Sequence, residues 1–143
     1  MLACHVLVAM MMVPGNIHAG LLARTLAALI QSSSTVRTQC ERMATARNLH
    51  VDVQLVPTLG TVRGETVITR YKAGTIRARV RIAFGQDYRE LLAHEFEHII
   101  EQLDRVDLRA EADQGRAWLL DGHVFETRRA SEAGRRVRYE SVR

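Results

Sequence analysis

Apolar positions change their period several times along the chain, and each change marks an element. Residues 21–31 (LLARTLAALIQ) are rich in leucine and alanine, the composition of a helix. Serines at 32–34 interrupt it, and Ser34 can cap a second helix over about 35–48, where Val36, Cys40, Met43 and Ala44 fall at helical spacing. From His50 the pattern alternates through Leu55, as in a strand, and Pro57 stops it. Residues 65–71 and 75–84 read as a hairpin around Lys72, Ala73 and Gly74. In its second arm Ile76, Ala78, Val80 and Ile82 share one face and Arg77, Arg79 and Arg81 the other, which suits an exposed sheet face or a sheet edge.

The period turns helical again from Asp87 to about Leu103, where Leu92, Phe96, Ile99 and Leu103, widened by Ile100, form one stripe. Residues 108–120 read as a helix with a poorly defined end, and Asp121-Gly122 as a turn. VFETRRASEAG, from Val124, reads as a last helix closing near Gly134. This order predicts an α+β domain with a small, mostly antiparallel sheet and C-terminal helices. Trp118, Phe125 and Phe84 are expected in its core.

Composition narrows the class. With 143 residues, 47% of them hydrophobic, and only two prolines, the chain suits one domain with its own core; disordered and collagen-like classes are excluded. Two cysteines, Cys4 and Cys40, cannot build a disulfide scaffold or a four-cysteine zinc site. Twenty basic residues against sixteen acidic ones leave a net charge of +4, and Lys72 is the only lysine. Arginines gather on the strand 75–84 and near the C-terminus (Arg128, Arg129, Arg135, Arg136, Arg138, Arg143). No aromatic stacking platform or helix-turn-helix pattern accompanies them, so they read as a solvated face and not as a nucleic-acid surface.

Residues 1–23 contain no Lys, Arg, Asp or Glu. Their apolar run LACHVLVAMMMV has the length of a signal-peptide core and falls short of the roughly 18 residues a membrane span needs. Ala19 supplies a small residue before a cleavage site, although a positive n-region is missing, since the first charged residue is Arg24. This segment, 1–19, predicts export to a periplasm or the cell exterior, leaving one domain over 20–143. The alternative is a cytoplasmic protein whose N-terminal segment is buried in the fold.

The chemistry sits in HEFEH, residues 94–98. Histidines at i and i+4 stand one above the other on a helix face, so His94 and His98 can both reach one metal ion, at about 2.0–2.1 Å each for zinc. Glu95 projects near that ion without needing to bind it. There it can take a proton from a water molecule and hand it to a leaving amine.

This segment resembles the active-site helix of the zincin metallopeptidases, and the order of helix, strands and HExxH helix over about 35–103 resembles their minimal N-terminal subdomain. The resemblance implies Zn2+ on His94 and His98, Glu95 as general base and acid, and a peptide or protein substrate added along the strand 75–84. A catalytic zinc needs a third protein ligand. Asp104 lies six residues after His98, at the spacing of the last ligand in the metzincin pattern HExxHxxGxxH, but Glu101 stands where that pattern has its turning glycine. Glu101 itself lies about 10 Å along the helix axis from His94, which suits it to orient His98 and not to bind metal. Glu126 matches the gluzincin arrangement, a glutamate from a separate downstream helix, although FETRRA lacks the NExxSD-like sequence; its alternative is an exposed residue paired with Arg129. His123, three residues earlier, is a further candidate ligand or oxyanion donor, and Tyr139 and the C-terminal arginines are further donors. Competing functional readings are a zincin-like peptide-binding module with little or no turnover, and a structural zinc site closed by a fourth side chain.

Overall fold

Residues 12–120 and 124–140 are described by the computed structural model. Among them are five α-helices, a four-stranded mixed sheet and a separate two-stranded hairpin, an α+β arrangement. A short strand β1 (Ile17–His18) leads through a 3₁₀ turn into α1 (Ala23–Ser32) and α2 (Ser34–Thr45). Backbone extended at Ser33 separates these helices, and Ser33, not Ser34, caps α2, its Oγ accepting from the Val36 amide at 3.1 Å. Alternation then produces β2 (Leu49–Val56), β3 (Gly64–Arg70) and β4 (Ile76–Ala83), the last two joined as the expected hairpin with Gly74 at φ 91°. Leu49, Val51 and Val53 of β2 and Ile76, Ala78, Val80 and Ile82 of β4 are buried in one core with Leu26, Val36, Met43 and Phe96 of the helices.

The strand order is β1-β2-β4-β3, with β1, β2 and β4 parallel and only β3 antiparallel. The sheet is therefore mixed, not mostly antiparallel. After β2 the chain crosses to the far edge, lays down β3, and returns into the gap as β4, so the hairpin itself makes β4 parallel to β2. This also corrects the substrate strand. Residues 75–84 lie in an interior strand paired on both sides, and among the described residues the edges of the sheet are β1, two residues long, and β3.

Ile17 and Ala19 are buried, and the Asn16 side chain donates to the Met43 and Leu49 carbonyls at 3.0 and 3.1 Å. Cleavage after Ala19 would strip β1 from the sheet; residues 1–11 of the apolar run lie outside the described residues. No described helix is long and apolar enough to cross a membrane.

HEFEH lies within α3 (Tyr88–Leu103), capped by Asp87, whose Oδ1 accepts from the Arg89 amide at 3.2 Å. It ends at Asp104 in a Schellman turn: Arg105 takes the left-handed conformation (φ 56°) and the Val106 amide donates to the Glu101 carbonyl at 2.9 Å. Beyond it the expected helices are redrawn. Only α4 (Leu108–Asp113) is helical, and Gly115 at φ 71° breaks the chain away from it. Residues 117–120 and 124–127 then pair as the antiparallel hairpin β5 (Ala117–Leu120) and β6 (Val124–Thr127). The turn expected at Asp121-Gly122 lies outside the described residues. α5 (Arg128–Glu140) starts four residues later than expected, where Thr127 Oγ1 accepts from the Ala130 amide at 3.0 Å. It passes through Gly134 instead of ending there. A Cβ at Gly134 would stand 3.1 Å from the Glu90 carbonyl oxygen and 3.5 Å from the His94 Cβ, so this glycine serves close packing of α5 on α3.

Candidate metal centre

Helix α3 holds the His94 and His98 rings edge to face, centroids 5.1 Å apart. Glu126 reaches them from β6 and not from a helix. Its Oε2 lies 2.9 Å from His94 Nε2 and its Oε1 3.6 Å from His98 Nε2. One donor atom from each residue falls within 4.8 Å of the others, so the three could hold a metal ion. The delivery is built from two contacts: β6 is paired to β5, and α5, which continues β6 directly, packs along α3.

The remaining candidates fall elsewhere. Asp104 is bound to Arg129 at 2.8 Å and to Arg42 at 3.5 Å, because α3 continues through Glu101 and turns only at Asp104, too late to swing this carboxylate back to the histidines. Arg129 also binds Glu97, at 2.5 Å, and the ion pairs of Glu126 are with the two histidines, not with Arg129. His123 lies outside the described residues, and Tyr139, 70% exposed, is on the outer face of α5. Cys40 is buried, and burial, with Glu41 nearby, pushes its thiol up to about 12, which leaves it inert.

Glu101 takes the orienting role. His98 Nδ1 donates to Glu101 Oε2 at 3.1 Å, and Thr127 Oγ1 donates to Glu101 Oε1 at 2.5 Å. This chain fixes the imidazole with Nε2 towards Glu126. His98 Nε2 is buried and, among the described residues, makes no hydrogen bond, its nearest carboxylate oxygen, Glu126 Oε1, standing off at 3.6 Å. Buried polar atoms are rarely left so, and an orphaned imidazole nitrogen facing a second imidazole and a carboxylate fits a metal ligand set. Burial alone would raise the pKa of Glu126, but the His94 and His98 imidazoles beside it hold it down to about 2. Burial likewise opposes the charged form of His98, yet its hydrogen bond to Glu101 and the Glu126 carboxylate nearby lift it to about 10.

Glu95 is 2% exposed, and burial raises its pKa above the usual carboxylate value. Thr66 Oγ1, on β3, donates to Glu95 Oε2 at 2.7 Å. Two cavities, of about 380 and 270 Å³, share Glu95, Val124 and Glu126 in their walls. One extends past Ile68, Leu108 and Phe125, the other past Val62, Leu91 and Trp118. The aromatic residues expected in the core are therefore mostly outside it: Trp118 is 42% and Phe84 51% exposed, while half-buried Phe125 and Trp118 line the cleft. Sequence reasoning passed over Thr66, Gly64 and Thr127; a threonine opening a helix three residues before Ala130 was a readable capping signal, whereas the role of β3 emerges only from tertiary packing.

No protein-family model, curated protein or solved structure matches the chain.

Proposed function

We propose that the protein is a zincin-type metallopeptidase that hydrolyses peptide bonds with a water activated by Glu95. The observation that carries this reading is the grouping of His94, His98 and Glu126 within 4.8 Å, with Glu95 buried one residue from the first ligand. Two imidazoles and a carboxylate are the donor set of a catalytic zinc site, and among the described residues no fourth His, Cys, Asp or Glu joins the group, which favours an open position over a closed structural site. When bound there, zinc would supply Lewis acidity towards the substrate carbonyl and bring the pKa of a water near neutrality.

The protein's own residues do the rest. Glu95, its pKa raised by burial, accepts a proton from the attacking water and passes it to the departing amine. Glu101 and Thr127 keep His98 in one tautomer. The substrate lies along β3. Hydrogen bonds from the Ala83 amide to the Arg63 carbonyl and from the Tyr71 amide to the Thr75 carbonyl turn the odd-numbered residues of this strand towards β4. Backbone groups of Gly64, Thr66 and Ile68 are thereby left on the open edge, where an extended peptide can pair with them.

The test is zinc per chain and peptide cleavage on wild type and Glu95→Gln. Wild type is expected to carry one zinc and to cleave. The variant is expected to keep its zinc while losing roughly 10²–10⁴-fold in turnover, the usual contribution of a general base. Cleavage that survives in Glu95→Gln, or a wild type that takes up no zinc, would sink this reading.

A further inference from the structure

We infer that strand β3 positions the base: Thr66 tethers one carboxylate oxygen of Glu95, and Gly64 leaves the room that the other oxygen occupies. The inference rests on the peptidase reading and assigns positioning roles to two residues outside the HEFEH motif. Thr66 Oγ1 lies 2.7 Å from Glu95 Oε2 and 3.2 Å from the Glu95 backbone carbonyl, so one hydroxyl reaches both ends of the residue. At Gly64 an ideal Cβ would stand 2.8 Å from Glu95 Oε1, 3.3 Å from Cδ and 3.4 Å from Cγ. A contact of 2.8 Å is closer than side-chain carbons tolerate, so any other residue at 64 has to displace the carboxylate or the strand. Gly64 does not need glycine for its backbone, since it is not among the residues with positive φ. The three atoms nearest to that Cβ all belong to Glu95, which accounts for its want of a side chain.

The register explains why these two residues act together. Gly64 and Thr66 are two apart on one strand, so both address the same face of the sheet, and that face meets α3 at Glu95. Their backbone groups are those left on the open edge. The strand offered to the substrate is thus the strand that holds the base, and the spacing between peptide and carboxylate is set within a single element. A carboxylate buried without such a hold would be free to turn away from a reacting water, and displacement by about 1 Å can cost 10²-fold in rate.

The experiment combines stability and kinetics on zinc-loaded protein. Thr66→Val, Thr66→Ser and Gly64→Ala are made in wild type, and Thr66→Val and Gly64→Ala again in Glu95→Ala. Urea midpoints, zinc content, and kcat and KM on a fluorogenic peptide chosen from a mixed library for Glu95-dependent cleavage are then measured. Gly64→Ala and Thr66→Val are expected to lower the urea midpoint in wild type and to do so far less in Glu95→Ala, where there is no carboxylate to displace or release. With zinc unchanged, kcat is expected to fall about 100-fold in Gly64→Ala and about tenfold in Thr66→Val, KM staying within about twofold and Thr66→Ser restoring the rate. Equal midpoint shifts in both backgrounds overturn the contact. Coupled midpoints with unchanged kcat, or a loss of zinc in Thr66→Val, overturn the positioning role. Absence of any Glu95-dependent cleavage by zinc-loaded wild type overturns the peptidase reading and the positioning role with it, an outcome distinct from cleavage that proceeds indifferent to Thr66 and Gly64.

Discussion

Beside the site on α3, Glu97 is buried against Arg129 at 2.5 Å and the Gln39 amide at 2.7 Å. In the site itself, Glu126 and Glu101 face His94 and His98. Both clusters withdraw carboxylates from water, but their counter-groups differ in kind. A guanidinium is charged at every accessible pH and cannot ligate a metal, so the Glu97 cluster has one state and serves to lock α5 onto α3. An imidazole can be neutral, protonated or metal-bound. The histidine cluster therefore has several states, and its carboxylates are held for chemistry as well as for stability. Buried charge in this domain separates into a clamp and a site, neighbours along one helix.

The strongest way to break that division is Glu126→Ala. Loss of a direct ligand is expected to weaken zinc binding by more than about 100-fold, the upper range for residues that only support ligands, while the Glu97 clamp keeps the protein folded. Competition with a chromophoric chelator measures it; zinc retained at wild-type affinity would show that Glu126 is not a ligand. Next comes Arg129→Met, which acts on the clamp alone. It leaves Glu97 buried without its cation and is expected to cost about 2 kcal/mol in urea unfolding, below the usual range for a broken buried pair because Arg129 is 42% exposed. Zinc affinity should not change, and a marked loss would show that clamp and site are one network.

A change confined to protons, with no side chain removed, sharpens the difference through pH. With its pKa lifted to about 10, His98 holds a proton that zinc must displace, whereas Glu126, near 2, is already ionised. Apparent zinc affinity should therefore rise about tenfold per pH unit across the neutral range and level off towards pH 10. Stability of the chelator-treated protein should move the other way. A histidine whose folded pKa is raised from 6.5 to about 10 stabilises fully below pH 6.5 and loses that contribution as pH climbs through 10. Calorimetric titration and thermal melts across pH 6–10 test both directions, and a flat zinc affinity would remove His98 from the ligand set.

Much of this was legible from local pattern. The 3.6-residue stripe of α3, the alternation in β2 and β4 and the glycine turn between β3 and β4 each depend on neighbours in the chain, and each appears in the structure. So does the placement of His94 and His98 on one helix. What failed was non-local. AWLL is too short an apolar run to declare itself strand or helix, and only pairing with VFET decides it. Parallel pairing of β2 with β4 depends on where the intervening hairpin docks, which the pattern of either strand leaves open. Glu126 was one candidate third ligand, expected on a helix from the resemblance to the gluzincin arrangement; the strand that carries it was hidden by the helix-forming RRASEAGRRV that follows. Gly64 fell outside the strand expected at 65–71, and nothing local marks it, since the carboxylate it accommodates comes from another element.

Gly134 turns helix spacing into a dimension of the metal centre. α5 rides on α3 at the very turn that carries His94, so close that a Cβ at this point would stand 3.1 and 3.2 Å from Glu90 and oblige one helix to give way slightly. Because β6 runs straight into α5, the two form one continuous arm with Glu126 near its hinge and Gly134 at its bearing. Thickening the bearing by one methyl group would press on Glu90, one turn before His94, and any yielding there would be felt along the arm that carries Glu126. A residue that touches no metal, no substrate and no proton thus works as the gauge block of the site, and an inventory of reactive groups alone would pass it by.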